Sequence, residues 1–131
     1  MIRTKDKGSA AERELIHMFW ENSWAAMRAA GSGSTQHPSP DVIAGNGMRR
    51  VAIECKSVGD DKKYISKDEM IQLLLFSHTF GAEAWIGIRF SGRKWFFLNP
   101  EDLSETDKSH LVSEKIAEMK GLSFEEMING F

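Results

Sequence analysis

Asp41, Glu54 and Lys56 are the residues of this chain whose types and spacing fit a defined chemistry. Pro40-Asp41 is followed by twelve residues and then by Glu54-Cys55-Lys56. Two carboxylates offer hard oxygens to a magnesium ion, which favours an octahedron of oxygen ligands and keeps several of its waters. An ion held there would polarise a phosphate and lower the pKa of water enough to supply a nucleophile near neutral pH. An ammonium beside it could orient that water or offset charge building on the phosphorane oxygens. The pattern therefore points to phosphodiester hydrolysis, provided the three side chains meet at the ends of adjacent strands. The plainer alternative is a solvated strand face, with Glu54 and Lys56 as ordinary neighbours and Asp41 as a turn residue after Pro40.

The segments around these residues favour the meeting. In Arg50-Val51-Ala52-Ile53-Glu54-Cys55-Lys56, Val51, Ile53 and Cys55 alternate with Ala52, Glu54 and Lys56 at the period of a strand, so Glu54 and Lys56 share a face. Asp41-Val42-Ile43-Ala44 is a short apolar run closed by Gly45-Asn46-Gly47, a hairpin signal that folds the second strand back beside the first. Such a hairpin brings Asp41 close to Glu54, and makes the backbone carbonyl of Cys55 the natural third protein ligand to a metal. A helix is expected over Ser9 to Trp20, with Glu12 on the same stripe as Leu15, Ile16 and Phe19. Glu12 has two readings: it closes a capping box on Ser9, or it joins the metal site as a further acidic ligand. The residues alone favour the cap.

The remainder of the chain sets bounds. Its 131 residues suffice for one domain whose core needs no staples, and 41% hydrophobic with 27% charged residues is a globular composition. The lone Cys55 excludes an internal disulfide framework and a cysteine zinc site, and suits a reducing compartment. No apolar run is long enough to cross a bilayer, and the first residues lack the apolar core of a signal peptide; a cytoplasmic protein with no membrane partner is expected. The net charge of −2 is unevenly spread, since residues 1–100 carry 14 basic and 11 acidic side chains and residues 101–131 carry 3 and 8. A basic face is thus compatible with an acidic total, and Lys5, Lys7, Arg13, Arg28, Lys62 and Lys63 are its candidates. The stretch from Gly31 to Pro40 reads as a flexible loop beside the site.

A helix over Lys67 to Phe80 is apolar on more than one face, which implies burial under the sheet or contact with another subunit. Strands are expected at Ala84 to Ile88 and Lys94 to Leu98, around a turn at Ser91-Gly92-Arg93. Gln72 has two readings, as a holder of water or phosphate and as a helix-surface amide. Farther on, Leu111, Val112, Ile116 and Met119 suggest one short amphipathic helix, and Ser123-Phe124-Glu125-Glu126 opens another with a capping box. The acidic segment 101–131 could pack on the core or meet a partner.

Taken together, Gly8-Ser9-Ala10-Ala11-Glu12-Arg13-Glu14-Leu15, Arg28-Ala29-Ala30-Gly31-Ser32-Gly33-Ser34, Pro40-Asp41 and Ile53-Glu54-Cys55-Lys56 resemble the archaeal Holliday junction resolvases called Hjc, with the likeness running on through Asp68-Glu69-Met70 to about Leu98. The resemblance implies the α/β fold of type II restriction enzymes, a mixed central sheet flanked by helices. It also implies a homodimer that places two active sites on four-way junction DNA, with magnesium as cofactor and manganese able to substitute. By the family pattern Glu12, Asp41 and Glu54 are metal ligands, Lys56 stabilises the transition state and Ser32 is a catalytic-loop residue. Glu12 then becomes a ligand in place of a cap, and Arg13 and Arg28 become phosphate contacts.

The function so implied is a structure-specific endonuclease that resolves four-way junctions by paired nicks in opposing strands, working alongside recombination or replication proteins. Two rivals stand beside it. One is a restriction-like or repair nuclease acting on ordinary duplex or single-stranded DNA with the same metal site. The other is an inactive DNA-binding module that has kept the fold.

Overall fold

The computed structural model of the chain describes residues 4–29 and 37–130, with side chains from residue 8 onward. Ser32 and most of the glycine-serine loop lie outside the described residues, as do the side chains of Lys5 and Lys7. Helix α1 runs over Thr4–Glu21 and is followed by strand β1, Ala25–Arg28. Strands β2, Val42–Gly45, and β3, Arg50–Val58, form the expected hairpin, with Val42 opposite Ile53 and Ala44 opposite Val51. Its turn is closed locally. The Asn46 side-chain oxygen accepts from the backbone N–H groups of Met48 and Arg49 at 2.9 and 2.7 Å, and Gly47 takes φ +93°, a conformation side chains disfavour.

Strand β4, Lys62–Ser66, leads into helix α2, Lys67–Phe80, and then to β5, Glu83–Phe90, and β6, Trp95–Leu98. The helix bounds agree with the expectation at both ends, because local chemistry sets them. Ser66 and Glu69 form a reciprocal capping box, and Gly81 ends the helix in the left-handed conformation at φ +87°. The main sheet has the order β1-β2-β3-β5-β6, antiparallel except for the parallel pair β3 and β5 that α2 bridges. Such a crossover normally requires a helix, and with α2 on one face and α1 on the other the sheet is buried on both.

That double burial explains the continuous apolar run Val51-Ala52-Ile53. On one face Leu15 and Phe19 of α1 pack with Val42, Val51, Ile53, Trp85 and Phe97. On the other Met70 and Leu73 of α2 pack with Ala52, Ile86, Ile88 and Leu98. The mixed sheet flanked by helices is thus the expected fold.

The C-terminal segment departs from expectation. Leu111 and Val112 belong to a strand, β8 at Ser109–Ser113, which pairs with β4 and with the short β7, Ser104–Glu105, in a second sheet. Only then do α3, Glu114–Lys120, and α4, Phe124–Ile128, follow, the latter with its capping box at Ser123 and Glu126. The apolar residues at 111, 112, 116 and 119 fit helical spacing, but the first two are claimed by ladder bonds to β4. Phe124 and Met127 are buried against the α1 face of the main sheet, so the acidic segment packs on the core. No helix among the described residues is long and apolar enough to cross a membrane.

Candidate active site

The hairpin delivers Asp41 to β3. Its backbone N–H donates to the Ile53 carbonyl at 3.0 Å, and its carboxylate Oδ2 accepts from the Cys55 N–H at 2.8 Å. Asp41 is therefore anchored at the mouth of β2, alongside the stretch of β3 that carries Glu54 and Lys56. Strand alternation turns those two side chains to the α2 face, shared with Ala52 and Val58, while Cys55 packs with the α1 cluster. Lys56 Nζ lies 3.6 Å from Glu54 Oε2 and 2.6 Å from Glu69 Oε2.

Glu12 reaches the same cleft from α1, but its carboxylate is held by Arg28 of β1, whose Nε donates at 2.9 Å. The Arg28 guanidinium also donates to Ser9 Oγ at 3.2 Å. Ser9 is no helix cap, because α1 begins at Thr4. The expected capping box at Ser9-Glu12 is thus absent, and a tertiary partner takes both side chains in its place. The resulting cleft has a volume of about 380 Å³ and is lined by Glu12, Asp41, Glu54, Cys55, Lys56 and Glu69 together with Ser39, Asp68 and Gln72. Gln72 donates to Asp68 Oδ2 at 2.9 Å, so its amide faces the cleft rim with one donor already committed.

The electrostatics of this cleft are unusual for a surface. Burial, with the nearby charge of Asp41 added, pushes the Glu54 carboxyl up to about 8 against the opposing pull of Lys56. Burial also raises Glu12, although Arg28 opposes it. The Cys55 thiol is driven well above its usual range by burial and by the surrounding carboxylates, which makes it a poor nucleophile. For Lys56, burial pulls downward, but the hydrogen bond and charge of Glu69 and the charges of Glu54 and Asp41 prevail and hold it cationic. Burial pushes Glu69 up, and its bonds to Lys56 and Ser66 more than offset that.

A carboxyl buried beside another carboxyl, with its ionisation resisted, is an arrangement that a small hard cation relieves. The donor set of Asp41, Glu54 and a backbone carbonyl on β3 fits such an ion. Among the described residues no three His, Cys, Asp or Glu side chains converge on one point as a ready-made cage. Glu12, the further acidic side chain of the cleft, is bonded to Arg28. Magnesium is normally held by one or two carboxylates and completed by water and phosphate, so two converging carboxylates are consistent with it.

The basic candidates are scattered. Arg13 is exposed on α1, close enough for its charge to lower Glu12. Lys62 and Lys63 are exposed on β4, with the Lys62 ammonium 6.0 Å from the centre of the Tyr64 ring. Arg28 is occupied with Glu12 and Ser9. The residue that sequence reasoning passed over is Glu69. Its capping pattern with Ser66 was legible in Ser66-Lys67-Asp68-Glu69, whereas the second oxygen, bonded to Lys56, depends on the packing of α2 across β3.

The model of a family described as archaeal Holliday junction resolvase (hjc) matches residues 3–131. The crossover junction endodeoxyribonuclease Hjc of Archaeoglobus fulgidus is 39% identical over 129 residues, covering 93% of this chain and 95% of that protein. That of Methanocaldococcus jannaschii is 34% identical over 122 residues, covering 93% and 86%. The solved structure of the Archaeoglobus fulgidus Hjc, described as a Holliday junction resolvase, superposes with a TM-score of 0.87 at 36% identity, covering 92% of this chain and 98% of that one. The resemblance first carried by four short motifs thus extends over nearly the whole length, including the acidic C-terminal segment.

Proposed function

Because the chain belongs to the archaeal Holliday junction resolvase family, we propose that it is a magnesium-dependent endonuclease that resolves four-way DNA junctions by paired, symmetric nicks in opposing strands. The observation that carries the reading is the pair Asp41 and Glu54, the first anchored by the Cys55 N–H and the second flanked by Lys56, in a polar cleft. A protein that only bound DNA would gain nothing from gathering carboxylates where a phosphate must lie.

In this reading Asp41 and Glu54 hold the cation with the Cys55 backbone carbonyl, and Glu12 supports it once Arg28 turns to phosphate. The bound ion, magnesium with manganese as a substitute, supplies Lewis-acid stabilisation of the phosphate and an activated water. Lys56 places its ammonium against the charge that accumulates on the non-bridging phosphate oxygens as water adds to phosphorus and the 3′-oxygen leaves. The products are a 5′-phosphate and a 3′-hydroxyl. Ser32 is assigned to the catalytic loop by its match to the family motif. Lys5, Lys7, Arg13, Arg28, Lys62 and Lys63 contribute backbone contacts, which orient the protein on a junction of defined shape more than they read its sequence.

A homodimer completes the reading, since a four-way junction offers two equivalent phosphodiesters and resolution needs both cut. Its support is the outer face of α2, where Ile71, Leu74, Leu75 and Phe80 are 60%, 44%, 53% and 52% exposed, with Phe76 stacked on Phe80 at 5.2 Å. So many exposed apolar side chains on one helix are characteristic of an interface. The enzyme would act in the cytoplasm, with recombination or replication proteins as further partners.

The test is cleavage of an end-labelled four-way junction and a linear duplex of matched sequence in magnesium. Symmetric nicks confined to the junction are expected. Equal cutting of the duplex would point to a general nuclease, and binding without cutting to an inactive module.

A further inference from the structure

Lys56 stands between two carboxylates, and the nearer one is not on its own strand. Its Nζ is 2.6 Å from Glu69 Oε2 but 3.6 Å from Glu54 Oε2, and an ammonium held at the shorter distance makes the stronger, charge-assisted bond. Glu69 is itself immobilised. Its other oxygen, Oε1, accepts from the Ser66 N–H at 3.0 Å, while its own N–H donates to Ser66 Oγ at 3.0 Å. One carboxylate therefore closes the N-terminal box of α2 with one oxygen and grips Lys56 with the other. Because α2 is packed on the sheet through Met70 and Leu73, the grip is referenced to the rigid core. Were Glu69 absent, the only carboxylate described within ion-pair distance of Lys56 would be Glu54, and Lys56 would close on a side chain that the site needs for cation binding.

We propose that Glu69 is a positioning residue for the cleavage reaction, one that draws the Lys56 ammonium off Glu54 and fixes it at the wall of the cleft where the scissile phosphate lies. This rests on the proposed nuclease function. Glu69 touches neither substrate nor cation in this assignment and acts only through Lys56.

The capping box supplies the control. Glutamine at position 69 can still accept from the Ser66 N–H through its amide oxygen, but its remaining group is an NH2 facing an ammonium, a donor against a donor. Glu69→Gln therefore keeps the cap and loses the grip, whereas Ser66→Ala weakens the cap and keeps the grip. In single-turnover cleavage of a four-way junction, Glu69→Gln is expected to slow the chemical step by roughly 10- to 100-fold, the usual cost of losing an orienting partner, with junction affinity and melting temperature close to wild type. Ser66→Ala should lower the melting temperature by a few degrees and leave the rate near wild type. A nitrogen-15 spectrum of the metal-free protein gives a readout independent of activity: the Lys56 ammonium signal should be the same in wild type and Ser66→Ala, and shift in Glu69→Gln as the ammonium passes from position 69 to Glu54.

An unchanged rate in Glu69→Gln would overturn the assignment, and so would equal losses of rate and melting temperature in both variants, the mark of a purely structural cap. A wild-type protein that cut no junction would instead defeat the functional reading. The Lys56 signal would still decide whether the grip exists.

Discussion

The backbone N–H of Cys55 donates to the Asp41 carboxylate at 2.8 Å, so the acidic residue that precedes β2 is fastened to the strand that carries Glu54 and Lys56. Asparagine at position 41 retains an oxygen able to accept the same bond, and Asp41→Asn should leave the hairpin in place while removing one negative charge from the cleft. Cleavage of the four-way junction is expected to fall by on the order of 100-fold or more, as befits loss of a cation ligand. Binding, followed by gel retardation without divalent ions, should be unchanged or tighter, and lost binding would defeat the role given to Asp41.

Stability of the protein in chelator should depend on pH with a definite sign. Burial and Asp41 hold the Glu54 carboxyl at about 8, against 4.5 for the free group. Between those two values the unfolded chain has released the proton and the folded chain retains it, so the native state binds more protons and loses stability as pH rises. The contribution is complete below 4.5 and gone above 8. Melting temperatures measured in chelator should fall across that window, and Glu54→Gln, which cannot ionise, should flatten the slope. Magnesium should restore stability most at the alkaline end, where Glu54 is most easily ionised. A profile in chelator that rises through this range would show that other groups govern it.

Phe80 projects from the last turn of α2 with about half of its surface exposed, and Phe76 stacks on it. Phe80→Asp should therefore convert a dimer to a monomer in sedimentation velocity with little effect on the fold, and reduce paired nicking of one junction to single nicks. If the variant sediments as a dimer, the interface lies elsewhere.

The hairpin, α2 and the strands at β5 and β6 were legible because their signals are local: alternation, a glycine-asparagine turn, a dense run of apolar residues. Elements whose identity depends on a distant partner were not. Strand β1, Ala25-Ala26-Met27-Arg28, has no branched residue and an exposed face, and it exists because Val42 to Gly45 offers it a ladder. Strand β4 begins with two lysines and is paired by β8, whose own Leu111 and Val112 match helical spacing equally well. At the site, the strand residues Asp41, Glu54 and Lys56 came together as their spacing implied. Glu12 did not behave as a cap, because α1 begins at Thr4 and leaves Ser9 inside the helix, and Arg28, sixteen residues away, takes its carboxylate. Glu69 was half visible: its cap is a four-residue pattern, while its bond to Lys56 needs the crossover.

The acidic C-terminal segment should prove necessary to the fold. Phe124 is buried with its ring 5.1 Å from Phe19 and 6.1 Å from Phe97, bridging α1 and the main sheet. Phe124→Ala should cost about 3–5 kcal/mol, read by urea unfolding, whereas Glu125→Ala on the exposed side should change little. A small loss in the phenylalanine variant would mean that the segment is only loosely docked.

The turn at Asn46 to Arg49 bears on how this active site can vary in length. Because Asn46 closes that turn with its own side chain, the register of β2 against β3 is set there, and the twelve residues between Asp41 and Glu54 are a count of ladder plus loop. What the chemistry needs is the register of that ladder, which the loop length does not alter. Insertions confined to the loop, in any number that leaves Val42 opposite Ile53, preserve the meeting of the two carboxylates. A slip of a single residue along β3 would present Cys55 where Glu54 stands and send Glu54 and Lys56 to the α1 face, away from Glu69. The separation of the two acidic residues in the chain is thus free to drift, while the alternation within Glu54-Cys55-Lys56 is not.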